Sequence, residues 1–108
     1  MNINGFLSVM SWNINGGILD KLPVLEKLCE SFSVICIQEH FLTDLNSQLL
    51  CPSFNVTVHL SPARRFKAKG RPSGGLAVLT TCQSELLEMC DCYLAVTVDN
   101  LVIVNLYL

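Results

Sequence analysis

Charge is scarce in this 108-residue sequence. Asp, Glu, Lys and Arg make up 15% of it, against 51% hydrophobic residues. That balance excludes a disordered chain, because there is ample apolar material for a core. Long hydrophobic runs are lacking too. Leu101–Val104 is stopped by Asn105, far short of the roughly 20 apolar residues of a membrane-spanning helix. Phe6–Trp12 has neither the basic leader nor the small-residue cleavage site of a signal peptide, so it reads as a strand. The expected location is therefore intracellular, nuclear or cytoplasmic. No repeat and no low-complexity linker divides the chain, and its length allows one domain at most.

Cysteine is not scarce, but its spacing is uninformative. Cys29 and Cys36 fall among apolar residues, where cysteine acts as a small hydrophobe. Cys90-Asp91-Cys92 is the one close pair. It has no CxxC partner and no histidine beside it, so a zinc-binding or redox role for the pair is the least expected reading. Free thiols in a reducing compartment are the expected state.

Basic residues are few and clustered. Five of the seven, Arg64, Arg65, Lys67, Lys69 and Arg71, lie within eight positions. The remainder of the chain holds two basic and nine acidic residues, a net charge of −7. A cationic loop on an acidic chain suits phosphate groups. It equally suits a solvated surface loop.

The ordered elements follow from periodicity. Phe6–Asn13 reads as a strand ended by the Asn15-Gly16-Gly17 breaker. Ile18, Leu22, Leu25, Leu28 and Cys29 form one helical stripe, with Asp20 expected as N-cap so that Pro23 falls in the first turn. Ser33–Gln38 reads as a buried strand. If the two strands are parallel neighbours, Asn13 and Gln38-Glu39 share one rim, where α/β sheets bind ligands. A short helical turn is expected over Leu45–Leu50, and strands over Asn55–Leu60 and Gly75–Thr81. Tyr93–Val98 and Leu101–Leu106 flank Asp99-Asn100 as a β-hairpin. Ser61–Ser73 is the basic loop.

Four segments in this order, SWNINGG, ICIQEHF, GRPSGGLAVLT and VIVNLYL, resemble the endonuclease/exonuclease/phosphatase superfamily with its DNase-I-like fold. They are most similar to the endonuclease domain of LINE-type retrotransposons. The resemblance runs through essentially the whole chain and corresponds to about the first half of that domain. It implies a partial α/β sandwich, a mixed β-sheet with flanking helices, in which residues 1–108 are an incomplete N-terminal portion. The implied activity is hydrolysis of nucleic-acid phosphodiester bonds with Mg²⁺ or Mn²⁺. Glu39 and Asn13 match the family's metal-site residues, and a carboxylate is the natural anchor for a hard cation. Asn13 and Tyr107 match catalytic positions. Gln38 is implied as an orienting neighbour, and Arg64, Arg65, Lys67, Lys69 and Arg71 as phosphate contacts to DNA. Each has a plainer reading: a turn residue for Asn13, a strand-end polar residue for Gln38, a packed strand tyrosine for Tyr107. Asn105 reads as structural. His40 departs from the serine or threonine of apurinic endonucleases and reads as a surface histidine rather than a ligand or base.

The family's later G-D-x-N and S-D-H motifs have no counterpart here. The chain alone is therefore expected to be inactive, since general acid–base and phosphate-stabilising groups are missing. It is also expected to supply chiefly one sheet with an uncovered inner face. That would call for a complementary C-terminal half or self-association. Two alternatives stay open: a non-catalytic nucleic-acid-binding or interaction protein retaining half of the fold, and a phosphatase-type relative.

Overall fold

The computed structural model describes residues 7–50, 55–64 and 73–107. Among them, strand β1 (Val9–Asn13) leads through α1 (Ile18–Ser31) into β2 (Val34–Gln38). A 3₁₀ turn at Ser47–Leu49 precedes β3 (Thr57–Ser61) and β4 (Leu76–Thr80). Then come β5 (Ser84–Met89), β6 (Tyr93–Val98) and β7 (Leu101–Leu106). β1 and β2 are parallel and paired Asn13 to Gln38, so the expected crossover unit and its shared rim are present. The first sheet runs β1-β2-β4-β3 and is mixed; the second runs β5-β6-β7 and is antiparallel.

Three layers result. β2 is buried throughout its apolar length because both faces are covered. Ile35 and Ile37 face α1 with Leu25, Ile14 and Leu79. Val34 and Cys36 face the second sheet with Leu76, Val78, Leu94, Val96 and Val98. This corrects the expectation of one sheet with a bare inner face. The added strand is β5, whose sequence SELLEM mixes charge into an apolar run and is mostly exposed, so it carries little strand signal. Exposed apolar residues lie instead on outward positions, among them Val102, Val104 and Leu106 of β7 at 58%, 50% and 56% and Leu86, Leu87 and Met89 of β5.

The helix also starts earlier than expected. Its N-cap is Gly17 in the left-handed region, not Asp20, and Pro23 sits inside it. Burial drives the early start, because Ile18 is almost wholly enclosed. The ammonium of Lys21 donates to the carbonyls of Gly16 and Ile14 and fastens the entering loop. Pro23 leaves a helical carbonyl at Leu19 without its donor, which is tolerable there because Leu19 is exposed.

The two sheets are joined by a buried amide. Asn105 on β7 donates from Nδ2 to the carbonyls of Ile37 and Ala77, both at 2.9 Å. Its Oδ1 accepts from Gln38 Nε2 at 2.6 Å. Asn105 is structural, as its place in the sequence suggests. The free edges β1 and β7 lie on one side of the sandwich and flank a cleft of about 550 Å³. Replacing Asn105 by Ala leaves two buried carbonyls and an amide short of partners, which costs about 1–3 kcal/mol. Urea titration should show a clearly lower midpoint for Asn105→Ala, and an unchanged midpoint would mean this amide does not hold the sheets.

Candidate active site

The site forms where β1, β2 and the Gly74-Gly75 entry to β4 end together. Ile14 N–H donates to the Gln38 carbonyl at 3.0 Å and Gly16 N–H to the Glu39 carbonyl at 2.8 Å. On the other side Glu39 N–H donates to Gly75 at 2.9 Å and Phe41 N–H to Gly74 at 3.1 Å. Glu39 is thus clamped by backbone from both neighbours. It is held at φ +58°, and Asn15 and Phe41 beside it have φ of 54° and 61°. Left-handed backbone at non-glycine residues is uncommon and persists where the surroundings over-determine it.

Tyr107 comes to the same place from the second sheet. Its hydroxyl lies 3.4 Å from Glu39 Oε1, a long hydrogen bond spanning 68 positions of sequence. Burial, then the Glu39 charge and the hydrogen bond to it, push the phenol pKa up. Asn13 is exposed at the rim and its Oδ1 accepts from Asn15 N–H at 3.2 Å. It therefore does act as a turn former, one register step from Glu39. Gln38 is held by Ser11 Oγ at 2.9 Å and by Asn105. Asn13 and Gln38 both line the cleft between the free edges.

The donor set is all oxygen: the Glu39 carboxylate and the Asn13 amide. It suits a hard divalent cation that keeps several waters and needs only one or two carboxylates. No group of three or more His, Cys, Asp or Glu placed to hold a metal occurs among the described residues, so Glu39 would be the single charged anchor.

His40 is not a surface residue. It is 1% exposed. Its Nε2 donates toward the carbonyls of Ser61 at 3.0 Å and Leu76 at 3.2 Å, while Nδ1 accepts from Leu42 N–H at 2.8 Å. Both nitrogens are used, which fixes the neutral tautomer with the proton on Nε2. Gly75, at φ +94°, packs so closely that a Cβ there would stand 2.4 Å from the imidazole. His40 thus explains the second glycine of the SGG segment.

Of the basic residues expected to contact DNA, Arg65, Lys67, Lys69 and Arg71 lie outside the described residues. Arg64 is placed. Its backbone pairs with Ser73 across the loop base at 3.0 and 2.8 Å. Its Nε donates to Asp91 at 2.7 Å in an exposed ion pair. That partner is not evident in the sequence, since Asp91 is brought close only by the β5–β6 turn. Arg64, Asp91 and Tyr107 share a small cavity of about 200 Å³.

Layers, strand order and site position together define an α/β fold of the DNase-I-like type. It matches the 3′-5′ exonuclease NExo from Neisseria meningitidis with a TM-score of 0.66 and 16% identity, over 94% of this chain and 41% of that one. The 3′ phosphatase NExo from Neisseria, bound to a product DNA hairpin, matches with a TM-score of 0.62 and 15% identity over the same shares. This chain therefore spans about two-fifths of the length of those solved structures. No family model matches the sequence, and no curated protein does.

Burial lowers the pKa of His40 against the opposing pull of its bonds to Ser61 and Leu76, and lowers that of His59 as well. Both then bind a proton more readily unfolded than folded. Stability is full above the unfolded value of about 6.5 and falls as pH drops below it. The urea midpoint should decrease from pH 7.5 to pH 5.5. His40→Gln, though less stable at neutral pH, should lose much of that slope; a wild-type midpoint independent of pH would refute the buried neutral imidazole.

Proposed function

We propose that this chain is the N-terminal part of a Mg²⁺- or Mn²⁺-dependent phosphodiesterase acting on nucleic acid, of the LINE-type endonuclease kind, with little activity by itself. The observation that carries the proposal is the meeting of Glu39 and Tyr107 across the two sheets, 68 positions apart in sequence, at the rim that ends in Asn13. The likeness to nuclease and phosphatase structures supports the same reading.

In this reading Glu39, with Asn13, holds the cation. When bound, a divalent ion neutralises charge on the phosphate and on the departing oxygen. Asn13 Oδ1 accepts from Asn15 N–H and keeps its second lone pair for the cation at the rim. Gln38, fixed by Ser11 and Asn105, sets the strand end from which Glu39 projects. Tyr107 carries its proton at neutral pH, as a phenol of ordinary pKa already does, and the upward shift acts in the same direction, so it serves as a hydrogen-bond donor toward a phosphoryl oxygen and not as a nucleophile. Arg64, Arg65, Lys67, Lys69 and Arg71 meet the DNA backbone.

The remaining groups of the reaction come from a complementary C-terminal segment paired to the free β1 and β7 edges, or from association of copies. An enzyme acting on terminal phosphates of nucleic acid is the second reading, supported by the phosphatase among the matched structures.

Two measurements test the proposal. Titration with Mn²⁺, followed by its paramagnetic resonance signal, should show weak binding that Glu39→Ala abolishes. Supercoiled plasmid should stay intact with the 108-residue chain and Mg²⁺. Mn²⁺ binding indifferent to Glu39, or robust nicking, would defeat this reading. Duplex DNA affinity should also fall with salt. Changing Arg64, Arg65, Lys67 and Lys69 to Ala should make that dependence shallower, by about 0.9 in slope for each phosphate no longer neutralised. An unchanged slope removes the loop from the interface.

A further inference from the structure

Cys90 and Cys92 sit in the turn between β5 and β6, with their Sγ atoms 3.3 Å apart. Nothing in the spacing C-D-C requires this, because side chains two positions apart in a straight strand are held well separated. The turn brings them together. Cys90 N–H donates to the Tyr93 carbonyl at 2.9 Å and closes it. Ser61 Oγ donates to the Cys90 carbonyl at 2.9 Å from β3, and Tyr107 N–H donates to the Cys92 carbonyl at 2.8 Å from the end of β7. The Asp91 carboxylate is drawn outward by Arg64. Each of the three turn residues is thus tied to a different part of the chain, and the two thiols are left facing each other.

Their surroundings favour covalent chemistry between them over metal binding. No third His, Cys, Asp or Glu joins them in a metal-holding group among the described residues. The sulfurs are nearer than two thiolates around a tetrahedral ion, and about 1.3 Å of approach separates them from a disulfide bond. Cys92 is exposed and Cys90 half-buried, so a small oxidant reaches them. By contrast, Cys36 is buried.

We infer that Cys90 and Cys92 form a redox-active dithiol, oxidised by small-molecule disulfides of the glutathione type to an intrachain disulfide within the β5–β6 turn. The Cys90 thiolate attacks one sulfur of the oxidised glutathione. A Cys90–glutathione bond forms, and one glutathione leaves as thiolate and takes up a proton. Cys92 then loses its proton to solvent and attacks Cys90 Sγ. The Cys90–Cys92 bond forms and the second glutathione leaves and is protonated. In total the two protein thiols give up two electrons and two protons, and one oxidised glutathione becomes two reduced ones. The order of attack follows from the turn. The Cys92 amide, then the Cys92 thiol and the Tyr93 amide, hold the Cys90 thiol pKa down against burial and the Asp91 charge. Donation to Cys90, then burial and the neighbouring charges, push that of Cys92 up. A thiol with more thiolate attacks first, and its neighbour resolves the mixed disulfide.

The inference is independent of phosphodiester chemistry. The test exposes the protein to oxidised glutathione, quenches with acid, alkylates with N-ethylmaleimide and maps peptides by mass spectrometry. The peptide containing Cys90 and Cys92 should be lighter by two hydrogens and unalkylated, while Cys36 remains alkylated. Cys92→Ser should stop at a glutathione adduct on Cys90. Cys90→Ser should slow glutathione incorporation in that peptide at least about tenfold. Full alkylation of both thiols after exposure would overturn the inference, as would a stable glutathione adduct in the wild type without the intrachain bond.

Discussion

A side-chain amide removed from water has to satisfy its two N–H groups and its carbonyl oxygen inside the protein. Asn105 does this by reaching from the second sheet to the carbonyls of Ile37 and Ala77 in the first, and by receiving Gln38. Apolar packing between Val34, Val78, Leu94 and Val96 brings the sheets together but does not fix their offset. The amide does, because its partners lie on two particular strands. Tyr107, two residues on, is thereby carried to Glu39, and the shared edge cleft takes its shape.

A second constraint acts at Glu39 itself. Its backbone occupies the left-handed region and is bonded on both sides, to Gly16 and to Gly75. The imidazole of His40 fills the space that a side chain at residue 75 would need. The glycine pairs around the site serve backbone approach and leave room for one buried ring. A carboxylate placed this way is set by the surrounding chain more than by its own rotamer preferences.

Much of this is readable from the sequence where one element dominates its surroundings. The strand–helix–strand unit is legible because Ile18, Leu22 and Leu25 keep helical spacing and Val34–Ile37 is uniformly apolar. The common rim of Asn13 and Glu39 follows from parallel pairing. Strand β5 is not legible, because Glu85 and Glu88 interrupt its apolar residues and most of it stays in water. The early helix start is hidden by Pro23, whose cost is accepted so that Ile18 can bury. His40 looks like a surface residue in sequence because burial of a polar ring depends on partners at Leu42, Ser61 and Leu76, two of them set by the fold and not by neighbours along the chain. The Arg64–Asp91 pair and the Cys90–Cys92 approach are likewise products of the β5–β6 turn.

The staple between the sheets has a consequence in time. Asn105 and Ile37 are 68 residues apart, as are Tyr107 and Glu39. Synthesis proceeds at about 5–20 residues per second, so the first sheet, complete only once Thr80 is made, waits about 1–5 seconds for Asn105 of β7. Through that interval the face of Val34, Cys36 and Val78 has no finished cover, and Glu39 stands without its tyrosine. Non-local closure of this kind makes folding slow compared with helical chains of the same length. The site is thus among the last parts of the molecule to come into being, since both of its long-range bonds wait for β7 and the residue after it.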